Sequence, residues 1–302
     1  MQNPLNPLNP LKHSASDFLM IRGLRTHARH WGSEGAPKLF MLHGWMDVSA
    51  SFQFVVDCLA RDWHVIAPDW RGFGLTERTS ADCYWFPDYF ADLDALLDHY
   101  SPDQPVNLVG HSMGGNAATI YAGVRPQRIA KLVNLEGFGL ATTSPAQAPG
   151  RYAQWLDELR APPQMRRYAM RDEVIARLCK TNPRLTPERA DFLADHWARQ
   201  CEDGQWEILG DPAHKIVSPQ LYRSDEVLAC WRHISAPVLW VEAEHTDMWR
   251  WMGPREKVRA EIDHRMQAIP QVTPARVADA GHMLHHDQPE AVARLIENFL
   301  ES

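Results

Sequence analysis

Residues 106–115 read VNLVGHSMGG, and Asn116, Ala117 and Ala118 follow. Val106–Val109 is a short apolar run of the kind buried on both faces of a parallel sheet. The small residues of Asn116–Gly123 read as a helix. Between them, Gly110-His111-Ser112-Met113-Gly114 fits the pattern G-x-S-x-G. Alone, that pattern arises by chance about once in ten chains of this length. Its position decides its meaning. A serine at the tip of a tight strand-to-helix turn is forced into a strained backbone conformation. Side chains two residues to either side would collide, so glycine belongs at 110 and 114. The strain pushes the Ser112 hydroxyl away from the backbone, and the helix N-terminus beneath it offers free N–H groups to a developing anion.

Outward from this turn the pattern repeats. Residues 17–31 (DFLMIRGLRTHARHW) alternate in part around Gly23 and predict a two-strand hairpin. Strands are predicted at Lys38–Leu42, His64–Ala67, Leu132–Leu135, Pro237–Val241 and Ala275–Ala278. Helices are predicted over Ser51–Leu59, residues 86–98 with Pro87 near the start, and Pro289–Leu300. Strand and helix alternate at short intervals, which predicts an α/β fold with a mostly parallel sheet flanked by helices. The rhythm stops from about Gly137 to Arg232, where only helical patterns are found. One of them opens on Thr186-Pro187-Glu188, with a capping Thr, Pro at the first helical position and an acid in the first turn. The expected division is a tail over 1–14, an α/β core over 15–136 and 233–302, and an all-helical insertion over 137–232.

Composition bounds the function. The 302 residues are 45% hydrophobic and 23% charged, ordinary globular values. The net charge of −7 argues against nucleic acid as a partner. No stretch approaches the ~18 consecutive apolar residues of a membrane span. The start, MQNPLNPLNPLKHS, has neither the basic start nor the apolar core of a secretory signal and reads as an extended, mobile arm. The five cysteines are far apart and form no C-x-x-C, which fits a reduced cytoplasmic chain.

Four motifs stand in order: His43-Gly44-Trp45 after one strand, Asp69-Trp70-Arg71-Gly72-Phe73-Gly74 after the next, the Gly110–Gly115 turn, and Gly281-His282 near the C-terminus. In these the chain resembles the α/β-hydrolase superfamily over residues 17–302, and its helical insertion falls where such enzymes carry a cap. The resemblance implies a serine hydrolase. Ser112 is then the nucleophile and His282 the general base, in the chain order Ser, acid, His. His285 and His286 extend the motif to H-x-x-H-H. A metal site is the competing reading, set aside because no nearby Cys or well-spaced Glu completes a ligand set. The oxyanion donors are expected to be the backbone N–H groups of Met113 and Trp45, with His43 bracing the latter's loop. Asp69, Arg71, Gly72 and Gly74 match an architectural turn. Three carboxylates compete to orient the base. Asp247 comes first, in the loop after Pro237–Val241, although it sits one residue late and Ala243 replaces the family's glycine. Glu136, at the end of LVNLEGFG, occupies a second location used by some relatives. Glu244 is third.

The nucleophile's identity excludes other chemistries. Relatives that displace halide or open epoxides use aspartate at this position, whose ester water can cleave; a serine ether would be a dead end. Ser112 therefore points to acyl transfer on a small-molecule acyl substrate, with a carboxylic ester as first choice. The alternatives are a C–C bond hydrolase acting on ring-fission products and a non-catalytic receptor or scaffold on the same fold. The insertion holds Trp155, Trp197, Trp206, Trp231, Tyr152, Tyr168 and Met165, enough to wall an apolar cleft, though packing on the core is the more common use of such residues. No cofactor is expected, because the chain lacks a G-x-G-x-x-G turn.

Overall fold

A computed structural model describes residues 10–302. Eight strands form one sheet: β1 (Ser14–Ile21), β2 (Leu24–Trp31), β3 (Lys38–Leu42), β4 (His64–Pro68), β5 (Val106–His111), β6 (Ile129–Leu135), β10 (Val238–Ala243) and β11 (Val272–Val277). Their spatial order is β1-β2-β4-β3-β5-β6-β10-β11. The pairs β1/β2 and β2/β4 are antiparallel, and the rest of the ladder is parallel. Arg22 and Gly23 both have positive φ, 49° and 82°, as a two-residue turn between right-twisted strands requires.

The side-chain period of two splits the core into two layers. Phe40, Leu42, Ile66 and Leu108 face one side of the sheet and pack with α2 (Pro87–Tyr100) and α3 (Met113–Val124). Leu39, Met41, Val65 and Val109 face the other and pack with α1 (Gln53–Cys58) and α11 (Pro289–Glu301). Each such side chain contributes about 1.5–3 kcal/mol on burial, which makes the central strands the stable floor of the molecule.

Between β6 and β10 the chain leaves the sheet. It forms α4 (Ala148–Arg160), β7 (Arg167–Tyr168), α5 (Arg171–Thr181), α6 (Pro187–Trp197), β8 (Ala198–Gln200), β9 (Trp206–Ile208) and α7 (Ser224–Arg232). The insertion is thus not all-helical. β7, β9 and β8 make a small antiparallel sheet. Strands of two or three residues carry no readable periodicity, and the only local signal is the turn around Gly204, whose φ is 81°. At α6, Thr186 caps as its sequence predicts, its side chain accepting from the Arg189 N–H. The boundary expected at 232 also moves. Leu228 and Trp231 of α7 belong to the core layer that holds α3. The two helices touch so closely that a Cβ on Gly123 would lie 1.9 Å from the Cys230 carbonyl oxygen.

The remaining helices, α8 (Trp249–Met252), α9 (Arg255–Met266) and α10 (Leu284–Asp287), lie in the C-terminal part of the core. Of the arm expected over 1–14, residues 1–9 lie outside the described residues. Lys12 is docked rather than mobile: its N–H donates to Asp57 at 2.8 Å and its Nζ to the Leu59 carbonyl at 2.6 Å. Among the described residues no helix is long and apolar enough to cross a membrane.

Three partly enclosed histidines set an acid limit on stability. Burial pushes His30 and His196 down to about 4 and His214 down to about 3. In the unfolded chain each takes up a proton near about 6.5, whereas in the fold none does until the pH is well below that. Between those values unfolding binds protons, so acid favours the unfolded state. The buried carboxyl of Glu136, pushed up by burial, opposes this trend but is a single group. The unfolding midpoint should fall as pH drops from about 6.5 to 4, by scanning calorimetry; a flat or rising midpoint would refute this account.

Candidate active site

Ser112 caps α3 with φ 52° and ψ −115°, a conformation that costs a non-glycine residue about 1–3 kcal/mol. The surrounding glycines permit it. A Cβ on Gly110 would lie 2.5 Å from the Gly114 carbonyl oxygen, and one on Gly114 2.2 Å from that of Leu42. Backbone bonds hold the turn on both sides, from the Ser112 N–H to Leu135 at 2.8 Å and from the Asn116 N–H to Ser112 at 2.9 Å.

His282 reaches this serine from the loop between β11 and α10. Its Nε2 lies 2.9 Å from Ser112 Oγ, and its Nδ1 lies 3.2 Å from Glu136 Oε2. The loop is anchored from two directions. The Gly281 N–H donates to Asp287 at 2.8 Å, and His111 Nε2 donates to the His282 carbonyl at 2.8 Å. The Trp251 ring stands edge-on to the His282 imidazole, 4.8 Å between centroids.

Glu136 follows β6 with φ 58°, another left-handed turn. Its side chain is fully buried. The Ala243 N–H donates to Oε1 at 2.7 Å, and the Thr246 hydroxyl donates to Oε2. Burial pushes its carboxyl above the ordinary value, and the contacts with His282, Thr246 and Ala243 work against that rise.

The other two carboxylates lie elsewhere. Asp247, the first choice from sequence, turns to Arg250 at 2.8 Å. Glu244 is at the surface and accepts from the Asp279 N–H at 2.9 Å. The β10 loop thus meets His282's neighbour through Thr246, while the carboxylate against the imidazole comes from β6. Thr246 was missed from sequence because a lone loop threonine carries no pattern. The one available signal was its place between two candidate acids.

The His43–Met46 loop passes beside the serine. A Cβ on Gly44 would lie 3.2 Å from Ser112 Cβ, so Trp45 begins within reach of the turn. Met113 is the first residue of α3, where N–H groups have no partner inside the helix. His43 braces its loop as the sequence suggests: its Nε2 accepts from the Trp70 N–H at 3.0 Å and its Nδ1 donates to the Gly44 carbonyl at 2.7 Å. Asp69 is architectural. It accepts from the Ser49 and Leu75 N–H groups and pairs with His27 at 2.7 Å; although burial raises it, these contacts hold its carboxyl well below the usual carboxylate range. The insertion touches the same loop, with Trp197 Nε1 donating to the Met46 carbonyl at 2.7 Å.

A hydroxyl, an imidazole and a buried carboxylate in series can move a proton away from oxygen and so generate a nucleophile. The family model of the alpha/beta hydrolase fold matches residues 37–289, and the chain belongs to that family. It is 24% identical over 301 residues to the serine hydrolase-like protein of Danio rerio, a match covering 96% of this chain and 90% of the relative. It is 22% identical over 288 residues to serine hydrolase-like protein 2 of Homo sapiens, covering 91% and 90%. Among solved structures, the thioesterase domain from the curacin biosynthetic pathway superposes with a TM-score of 0.83 at 25% identity, covering 94% of this chain and 99% of that one. These findings make the chain a hydrolase of the α/β fold.

The turn itself is testable without any substrate. Replacing Gly114 by Ala should destabilise the fold by roughly 1–3 kcal/mol, since the new methyl must displace β3 backbone. Urea unfolding measures it. An unchanged midpoint would mean that the turn is not as tight as described.

Proposed function

We propose that this protein hydrolyses carboxylic esters through an acyl-enzyme on Ser112. The reading is carried by one observation: Ser112 Oγ, His282 and the buried Glu136 lie in hydrogen-bonding series. Ser112 Oγ attacks the ester carbonyl carbon while His282 Nε2 takes its proton. The oxygen of the tetrahedral intermediate faces the N–H groups of Met113 and Trp45. His282 returns the proton to the departing alcohol, and the acyl group stays on Ser112. Water then attacks the acyl carbon, giving a proton to His282; the bond to Ser112 Oγ breaks, His282 returns that proton to Ser112, and the acid is released. Glu136 keeps the Nδ1 proton in place and stabilises the imidazolium; Asp247 has no part in the chemistry.

The elements between Gly137 and α7 act as a cap. The Trp197–Met46 bond supports this, as does the crowding at Gly210, where a Cβ would lie 3.2 Å from Met46 and 3.4 Å from Met165. An acyl substrate is further supported by the likeness to a thioesterase domain. Five free cysteines favour a reducing, cytoplasmic setting.

A fluorophosphonate probe tests the nucleophile. It should label folded protein at Ser112, and Ser112→Ala should abolish both the adduct and the turnover of short acyl p-nitrophenyl esters. Absence of an adduct in folded protein would point to a receptor or scaffold. Turnover of a vinylogous diketone but not of esters would point to C–C hydrolysis.

The choice of acid has its own test. Glu136→Gln should lower kcat by a factor of about 10²–10⁴, because the amide favours the wrong imidazole tautomer. Asp247→Asn should leave kcat within about twofold, the change expected of an ion pair whose Arg250 partner is exposed. The opposite ranking would restore Asp247 to the role.

A further inference from the structure

The H-x-x-H-H run has two histidines that the proposed reaction does not use. The fold brings His285 to Asp47, at the end of the oxyanion loop, and to His111, beside the serine. One ligand atom from each lies within 4.8 Å of the others, and all three residues are buried. These are the partners that the sequence did not supply.

We propose that Asp47, His111 and His285 form a binding site for one divalent transition-metal ion of the zinc type. The argument rests on hydrogen-bond direction. His111 Nε2 meets the His282 carbonyl, which can only accept, so that nitrogen carries the proton and Nδ1 is a bare lone pair. Ser51 spends its single hydroxyl hydrogen on Asp47 Oδ2 at 2.8 Å. It must therefore accept from His285 Nε2 at 3.2 Å and from His286 Nε2 at 2.5 Å, which leaves His285 Nδ1 bare as well. Both Nδ1 atoms are buried and have no hydrogen-bond partner. Two unpartnered ring nitrogens thus lie in the same buried cluster as Asp47, whose carboxylate accepts from Ser51 and stands 3.7 Å from His285 Nε2. Such a cluster of acceptors calls for a cation.

The arrangement is also that of metal-bound histidines, whose second ring nitrogen donates to a carbonyl or other acceptor and so fixes the tautomer. Two imidazoles and one carboxylate suit zinc, whereas magnesium and calcium prefer all-oxygen sets. Ligand atoms on a tetrahedral ion at about 2.1 Å sit roughly 3.4 Å apart, so the three groups, with ligand atoms within 4.8 Å of one another, would draw together on binding. Asp47, at 7% exposure, is the least enclosed of the three and marks the side of entry.

The full chain, stripped with a chelator and equilibrated with zinc chloride, should retain about one zinc per chain by elemental analysis. Its unfolding midpoint should rise with zinc concentration. His285→Gln should lower the affinity at least tenfold, while His245→Gln, at an exposed histidine, should not. X-ray absorption at the zinc edge of the wild-type protein should show two imidazoles in the first shell, a readout that stands even if the His285 variant fails to fold. Retention below a tenth of an equivalent, affinity unchanged in a folded His285→Gln protein, or a first shell without two imidazoles would each overturn the site. None of these measurements depends on the protein's being an esterase.

Discussion

The structure depends on how closely β5 can be followed by α3. Four chain segments meet at that point: the end of β5, the start of α3, the β3 loop and the end of β6. Gly110, Gly114 and Gly44 each remove a side chain where another segment passes, and the backbone at Ser112 absorbs the remaining strain. The two hydrophobic layers on either side of the sheet offset that local cost of about 1–3 kcal/mol. A turn that strains one residue is sustainable because the buried apolar side chains of both layers hold the strands and helix that impose it.

The residues around the serine repeat one device, an anchored left-handed turn. Met46, Ser112 and Glu136 all have positive φ, and all three lie at the C-terminal ends of sheet strands or in the loops that follow. At Ser112 and Glu136 the unusual backbone accompanies side chains that both meet His282. The partners are then fixed by hydrogen bonds to the main chain, from His111 to the His282 carbonyl and from the Ala243 N–H to Glu136. Backbone contacts between neighbouring loops thus help to lock the site's side chains in place.

The parallel core was legible because its strands are apolar runs closed by turn residues, and because Gly110–Gly114 joins a strand to a helix with no spare residue. Ser112 follows from the same strand-to-helix logic and His282 from the resemblance, and the structure sets the two 2.9 Å apart. The acid could not. Whether a carboxylate after β6 or after β10 touches the imidazole depends on a single φ at Glu136 and on which way the β10 loop turns, and spacing encodes neither. The short strands β7, β8 and β9 were hidden for a related reason: two or three residues are too few to show alternation. The Asp47, His111 and His285 cluster draws on three segments far apart in the chain, so no local motif announces it.

The return leg of the insertion has a consequence for how such chains diverge. Because α7 is seated on α3 through Leu228, Trp231 and the bare face at Gly123, it shares the fate of the helix that carries the serine. Recombination that exchanged everything between β6 and β10 would strip apolar cover from that helix. An exchange that ended ahead of Ser224 would instead leave α7 in place against α3.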